Sequence, residues 1–248
     1  MIIKSEAEIE GIRESGRILA AALKVAELEL APGKTTAEID VVIEEYILSN
    51  GAKPVFKGYR GFPAASCISI NEEVIHGIPG NRELKDGDLV KIDVGVSKNG
   101  FISDSSRSFA VGRTSDKIRK LVSVTRDTLD KAIDASRAGN RVGDISHTIE
   151  ENARAAGFEV VKEYFGHGTG LSLHEEPNIP NYGPKGVGPL LEPGMTLAIE
   201  PMLNMGTGKI KLKEDNWTVV TADGKISAHF EHTIAITRKG PEVLTAYV

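Results

Sequence analysis

The sequence predicts an α+β fold in a single domain with internal pseudo-twofold symmetry, on three observations. Two pairs of helical segments each lead into short apolar, strand-like runs; a shift of 106 residues lays one half of the chain on the other; and no linker rich in Pro, Ser or Gly separates the halves, about 1–110 and 111–248. With 40% hydrophobic and 26% charged residues over 248 positions, the composition is that of a soluble globular protein able to bury a sizeable core.

The first helix is expected from Ser5, whose hydroxyl can cap it while Glu8 reaches back. Ile9, Ile12, Leu19, Leu23 and Ala26 follow at helical spacing, and the helix ends before Pro32-Gly33. Thr35 and Glu38 repeat the capping signal and open a helix that buries Ile39, Val42, Ile43, Tyr46 and Ile47 and stops at Gly51. The segment Lys91 to Phe109 reads as a hairpin, because Asn99-Gly100 suits a type I′ turn in which both central residues take positive φ. Facing residue numbers then total 199, so Asp93 faces Ser106, Asp104 faces Gly95, and the two aspartates share one face as diagonal neighbours. A three-residue turn would throw one of them to the other face.

A third helix is expected from Ser115 through Ile118, Leu121, Val122, Leu129 and Ile133. A fourth, capped near Asp144, carries Ile145, Ile149 and Ala153 and ends at Gly157. Met195 to Glu200 reads as a strand, and Asp223-Gly224 is expected to turn Trp217-Thr218-Val219-Val220 back into a run from Ile226 to Ile236 that delivers Glu231 along a strand. The 106-residue shift superposes Gly33 on Gly139, Ile39 on Ile145, Ile43 on Ile149, Glu44-Glu45 on Glu150-Glu151, Gly51 on Gly157 and Val55 on Val161. A shift of 107 puts Asp93 on Glu200.

Composition removes several function classes. A net charge of −5 without any Lys/Arg-rich run argues against a specific nucleic-acid site. No apolar stretch approaches a membrane span, and the start Met1-Ile2-Ile3-Lys4-Ser5-Glu6 runs into acidic residues rather than a secretory signal, so a cytoplasmic protein with no membrane partner is expected. The single cysteine, Cys67, excludes an internal disulfide and a thiolate zinc site.

Chemistry concentrates at five residues. Asp93, Asp104, Glu200 and Glu231 sit in apolar, strand-like contexts where a carboxylate must be paired, hydrogen-bonded or bound to a cation. His167 stands in the Gly-rich run Gly166-His167-Gly168-Thr169-Gly170, where it has little reason to be a core residue. Four carboxylates with one imidazole suit one or two divalent cations better than a row of buried salt bridges. Of the other histidines, His76 enters a turn, His174 lies in His174-Glu175-Glu176-Pro177, His147 lies on a polar helix face, His232 must point away from Glu231's face, and His229 reads as cross-strand or surface.

Laid end to end, these segments closely resemble the bacterial-type (type I) methionine aminopeptidases. The motifs are Gly58-Tyr59-Arg60-Gly61-Phe62-Pro63, Cys67 to Pro79, Ile92-Asp93-Val94, Ser103-Asp104-Ser105-Ser106, Gly166 to Gly170, His174 to Pro177, Gly194 to Met202 and Phe230 to Ile234. Each is weak alone; the ordered set is specific. The resemblance implies the pita-bread α+β fold, with a central antiparallel sheet covered by helices. It implies that Asp93, Asp104, His167, Glu200 and Glu231 hold two divalent metal ions (Co, Mn, Fe(II) or Zn), Asp104 and Glu231 bridging both. It implies that His76 and His174 contact the substrate at the scissile amide, that Glu200 carries the proton of the attacking water, and that Tyr59, Phe62, Cys67, His76 and Trp217 line the methionine pocket. Phe62 stands where a tyrosine is common, and Ser103-Asp104-Ser105 replaces a Gly-Asp-Thr run, departures that touch pocket polarity and hairpin packing more than chemistry. The implied partner is a peptide or nascent-chain N-terminus, with a transient ribosome contact left open and a monomer expected. The rival readings are a prolidase or aminopeptidase P of the same fold, and a metal-free binding relative.

Overall fold

A computed structural model describes residues 1–247; Val248, the last residue of the second expected half, lies outside the described residues. Each half begins with a helix pair. In the first, α1 (Glu6–Glu29) and α2 (Thr36–Ser49) both open with a capping box, Ser5 with Glu8 and Thr35 with Glu38. In the second, α3 (Asp116–Ala135) is capped by the Ser115 hydroxyl, and α4 (Val142–Ala156) ends at Gly157 in the left-handed conformation. α4 begins at Val142, with Asp144 in its first turn rather than at the cap position. From there the Asp144 carboxylate accepts the Arg141 N–H at 2.7 Å and shields an otherwise orphaned donor.

The strands fall into the same halves. The first contributes β1 (Lys53–Pro54), β2 (Ser66–Ile70), β3 (Glu73–Ile75), β4 (Leu89–Lys98) and β5 (Phe101–Ala110). The second contributes β6 (Glu159–Val160), β7 (Gly166–Gly168), β8 (Glu175–Ile179), β9 (Thr196–Ile199), β10 (Met202–Asn204), β11 (Ile210–Leu212), β12 (Val219–Thr221), β13 (Ser227–His229), β14 (His232–Thr237) and β15 (Gly240–Val243). β4 pairs with β5 along its length and with β2 and β1, while the second half builds the order β15-β14-β9-β7-β8; every pairing is antiparallel. Both helix pairs lie on sheet faces. Leu19, Leu23, Ile39, Ile43 and Ile47 pack with Ile68, Val90, Ile92 and Val94, and Leu121, Leu129, Ile145 and Ile149 pack with Leu197, Ile199, Ile234 and Ile236. These two apolar clusters hold the sheets from outside and leave the seam between halves for polar groups.

The hairpin adopts the expected two-residue turn. Asn99 and Gly100 have φ of 53° and 86°, Lys98 faces Phe101, and the register carries through to Asp93 opposite Ser106 and Gly95 opposite Asp104. The run from Ile226 to Ile236 does not form one strand. It breaks at Phe230-Glu231 between β13 and β14, which join different sheets, and β12 pairs with β11 and β3 instead of β13. Long-range bonds explain the break: Glu231 N–H donates to Ser106 O at 2.9 Å, and the Ser105 and Ser108 hydroxyls donate to the carbonyls of Glu231 and His229. The backbone of His229 and Glu231 thus finds partners on β5 of the other half, while Phe230 N–H donates to the Pro201 carbonyl.

Candidate metal centre

Each of the five residues reaches the seam from a different element. Asp93 lies in β4 and Asp104 in β5, on the shared face set by the Asn99-Gly100 turn. His167 lies in β7, Glu200 follows β9, and Glu231 occupies the break before β14. Ligand atoms of Asp104, His167 and Glu231 lie within 4.8 Å of one another, and His167 Nε2 is 3.9 Å from Asp104 Oδ2 and 3.7 Å from Glu200 Oε1. The Asp104 backbone is fixed from both sides, its N–H donating to Thr233 Oγ1 at 2.9 Å and its carbonyl accepting from that hydroxyl at 2.7 Å. His167 Nδ1 lies 2.9 Å from the Gly168 carbonyl. Since a carbonyl only accepts, Nδ1 carries the proton and Nε2 offers its lone pair to the carboxylate-lined side.

The electrostatics are those of a site built for cations. Burial, then the neighbouring carboxylates, push Asp93, Glu200 and Glu231 far above the usual carboxylate range, and burial pushes Asp104 up to about 7. Asp93 Oδ1 and Asp104 Oδ1 are buried with no hydrogen-bond partner. Among the described residues no Lys or Arg forms an ion pair with any of the four. A hard-oxygen set with unspent acceptors and one fixed imidazole fits divalent cations, which neutralise charge that the protein alone leaves uncompensated.

A cavity of about 280 Å³ opens on this cluster. Tyr59, Phe62, Cys67, His76, His174 and Trp217 line it, so every residue expected in the pocket is brought to one space with Asp93, Asp104, His167, Glu200 and Glu231. Phe62 stands edge-on to Trp217 with ring centroids 5.1 Å apart, and His76 is edge-on to Tyr164 at 5.5 Å. His76 takes positive φ (57°), a conformation that a non-glycine residue holds only where its surroundings dictate it. Gly77 makes room there, since a Cβ would sit 2.3 Å from the Ile68 carbonyl. Burial, aided by His174, lowers His76 to about 4. His174 Nδ1 lies 2.9 Å from the Tyr59 hydroxyl, with its ring centroid 4.3 Å from that of His167. Burial, then the neighbouring Asp93 carboxylate, pushes the Cys67 thiol up, so it lines the cavity as a neutral thiol.

Of the two readings left open for His229, the structure takes the cross-strand one, pairing it with Met202 across β13 and β10. His229 is not at the surface: it is 1% exposed, both ring nitrogens lack partners, and Nε2 lies 3.7 Å from Glu200 Oε2. Glu163, Tyr164 and Phe165 also line the cavity; as loop residues they carry no periodic signal in the sequence.

Residues 10–238 match the family model of metallopeptidase family M24, and the chain belongs to that family. It is 51% identical over 245 residues to a methionine aminopeptidase from Clostridium perfringens, covering 99% of this chain and 98% of that one. The crystal structure of a methionine aminopeptidase from Thermotoga maritima superposes with a TM-score of 0.98 at 46% identity, covering 99% of each chain. A prolidase from Pyrococcus horikoshii superposes with a TM-score of 0.81 at 27% identity, with 64% of its length covered. The fold is the pita-bread α+β fold, and the protein is a metal-dependent hydrolase of the peptidase class.

Proposed function

We propose that this chain removes the N-terminal methionine from peptides and nascent proteins whose second residue is small, acting as one catalytic unit over 1–248. The observation that carries the reading is the union, in one cavity of about 280 Å³, of the carboxylate–imidazole cluster with an apolar wall of Phe62, Cys67 and Trp217. That wall suits an unbranched, polarisable thioether. The shared fold of prolidases leaves the chemistry of the side-chain pocket as the discriminating feature.

Asp93, Asp104, His167, Glu200 and Glu231 would hold the divalent ions, two by the number of ligands they offer. When bound, such ions lower the pKa of water toward about 7 and polarise a peptide carbonyl. Glu200 accepts the proton of the attacking water through its carboxylate. With the Tyr59 hydroxyl as hydrogen-bond donor to His174 Nδ1, 2.9 Å away, His174 would carry its hydrogen on Nε2 and offer the developing oxyanion a donor. His76, held neutral by burial, assists the amide nitrogen.

Co, Mn, Fe(II) and Zn all suit the ligand set. Among the described residues no helix is long and apolar enough to cross a membrane. A cytoplasmic monomer meeting peptide N-termini, with transient ribosome contact, completes the proposal. The test is release of methionine from Met-Ala-Ser together with metal analysis of the same sample. Cleavage of Leu-Pro or Ala-Pro peptides without action on Met-Ala-Ser would replace this reading with a prolidase, and a metal-free protein inert even with added Mn²⁺ or Co²⁺ would replace it with a binding relative.

A further inference from the structure

The segment preceding α1 makes a contact that the chemistry above does not use. Lys4, 4% exposed, sends its ammonium to Glu175 Oε2 at 2.5 Å; the two side chains are 1% and 4% exposed. The other Glu175 oxygen accepts two consecutive N–H groups, from Leu171 at 2.8 Å and Ser172 at 2.9 Å. These bonds close the loop between β7 and β8, the loop that carries His174. Leu173 anchors it on one side, buried with Phe56, Phe62 and Cys67, and Glu175 anchors it on the other. His174 stands between the two anchors.

The backbone is shaped to receive the N-terminal segment. Lys4 N–H donates to the Gly194 carbonyl at 2.8 Å. Gly194 has φ of 96°, and a Cβ there would fall 2.6 Å from Ile3 Cγ2. Gly170, with φ of 129°, leaves the space that Ile12 Cδ1 and Lys4 Cε fill. The Gly170 carbonyl accepts from Ile102 N–H at 2.7 Å on β5, two residues from Asp104. The ammonium–carboxylate pair thus lies inside a contact chain from residue 4 to the His174 loop and the hairpin.

We infer that Lys4 is a positioning residue: its ammonium, buried against Glu175, holds the 171–175 loop in the shape that places His174 over the scissile amide. Removing the ammonium leaves a carboxylate in a largely buried place without its cation, which the loop relieves by moving toward water. Misplacement of a reacting group by about 1 Å is enough to cost about 100-fold in rate. The inference rests on the proposed function, because the rate it concerns is that of peptide cleavage.

The experiment compares wild type, K4M, K4R, E175Q and the double variant K4M/E175Q on Met-Ala-Ser, with rates normalised to bound metal, and uses Ile149→Val in the core under α4 as a control for generic loss of stability. The expected result is a kcat for K4M lower by about 10- to 100-fold, with KM and metal content near wild type and with K4R recovering most of the rate. In E175Q the side-chain amide oxygen still accepts the two loop N–H groups but the buried Lys4 ammonium loses its carboxylate, a defect that K4M removes, so the double variant is expected to lose less than the product of the single losses. Ile149→Val keeps its rate. If K4M does not fold, E175Q against the double variant gives the same comparison, with the double expected to be the faster of the two. A K4M or E175Q rate equal to wild type, or losses that multiply in the double variant, overturns the inference. An inactive wild type instead overturns the proposed function, so the two failures are distinct.

Discussion

At the scale of single residues, the two histidines His167 and His174 lie side by side yet differ in what their second nitrogen meets. His167 Nδ1 is committed to a backbone carbonyl, which leaves Nε2 facing Asp104 and Glu200; His174 Nδ1 meets a tyrosine hydroxyl at the cavity wall. His167→Ala should therefore lose metal first. His174→Ala should keep near-normal metal while kcat falls by about 10²–10³, the range for loss of one oxyanion donor, with a smaller change in KM. Metal analysis beside steady-state kinetics checks both, and a His174→Ala protein stripped of an ion while His167→Ala retains two would show the roles reversed. The residue types at these positions were legible in the sequence as polar groups in costly places. The placement of His229 beside Glu200 was not, because its neighbour follows β9 and only the fold brings the two together.

At the scale of elements, the β4–β5 hairpin sets the geometry on which the centre depends. A side-chain period of two means that a one-residue slip moves Asp93 or Asp104 to the opposite face. Inserting one alanine between Asn99 and Gly100 is therefore expected to abolish tight metal binding while the helix pairs remain folded. Calorimetric titration with Mn²⁺ and far-ultraviolet circular dichroism measure the two halves of that expectation, and full-affinity binding by the insertion variant would mean that the register does not hold the site. This hairpin was readable because Asn-Gly has few alternatives. The break at Phe230-Glu231 was not, since apolar alternation continues through it. What interrupts the strand is competition from Ser105, Ser106 and Ser108 on β5, partners more than a hundred residues away in the chain.

At the scale of the whole molecule, two halves meet at a polar seam whose charge must be compensated. In the metal-free protein the four carboxylates hold protons more tightly than in the unfolded chain, Asp104 titrating near 7 against an ordinary 3.8. Their contribution to stability is present at low pH and is lost as pH rises, for Asp104 through about 7 and for Asp93, Glu200 and Glu231 only as pH passes their own raised values. The depressed histidines His76, His167, His229 and His232 act oppositely below about 6.5, and buried Lys91, lowered to about 7, opposes folding below its unfolded value, so the absolute stability is a balance. The increment produced by metal isolates the seam. Binding displaces protons from the carboxylates, so the rise in Tm on adding Mn²⁺ to chelated protein should be larger at pH 8 than at pH 5. Differential scanning fluorimetry at the two pH values decides this, and an increment equal or larger at pH 5 would place the cation elsewhere. By itself the sequence determined the helix pairs, the repeat, the hairpin register and the residues too polar for their surroundings, because caps, turns and periodicity act over a few neighbouring residues. Only the tertiary structure decided that Glu231 leaves its strand, that His229 is enclosed and that Lys4 reaches Glu175. Each of those depends on a hydrogen bond or charge supplied by a distant segment, whose position local spacing does not encode.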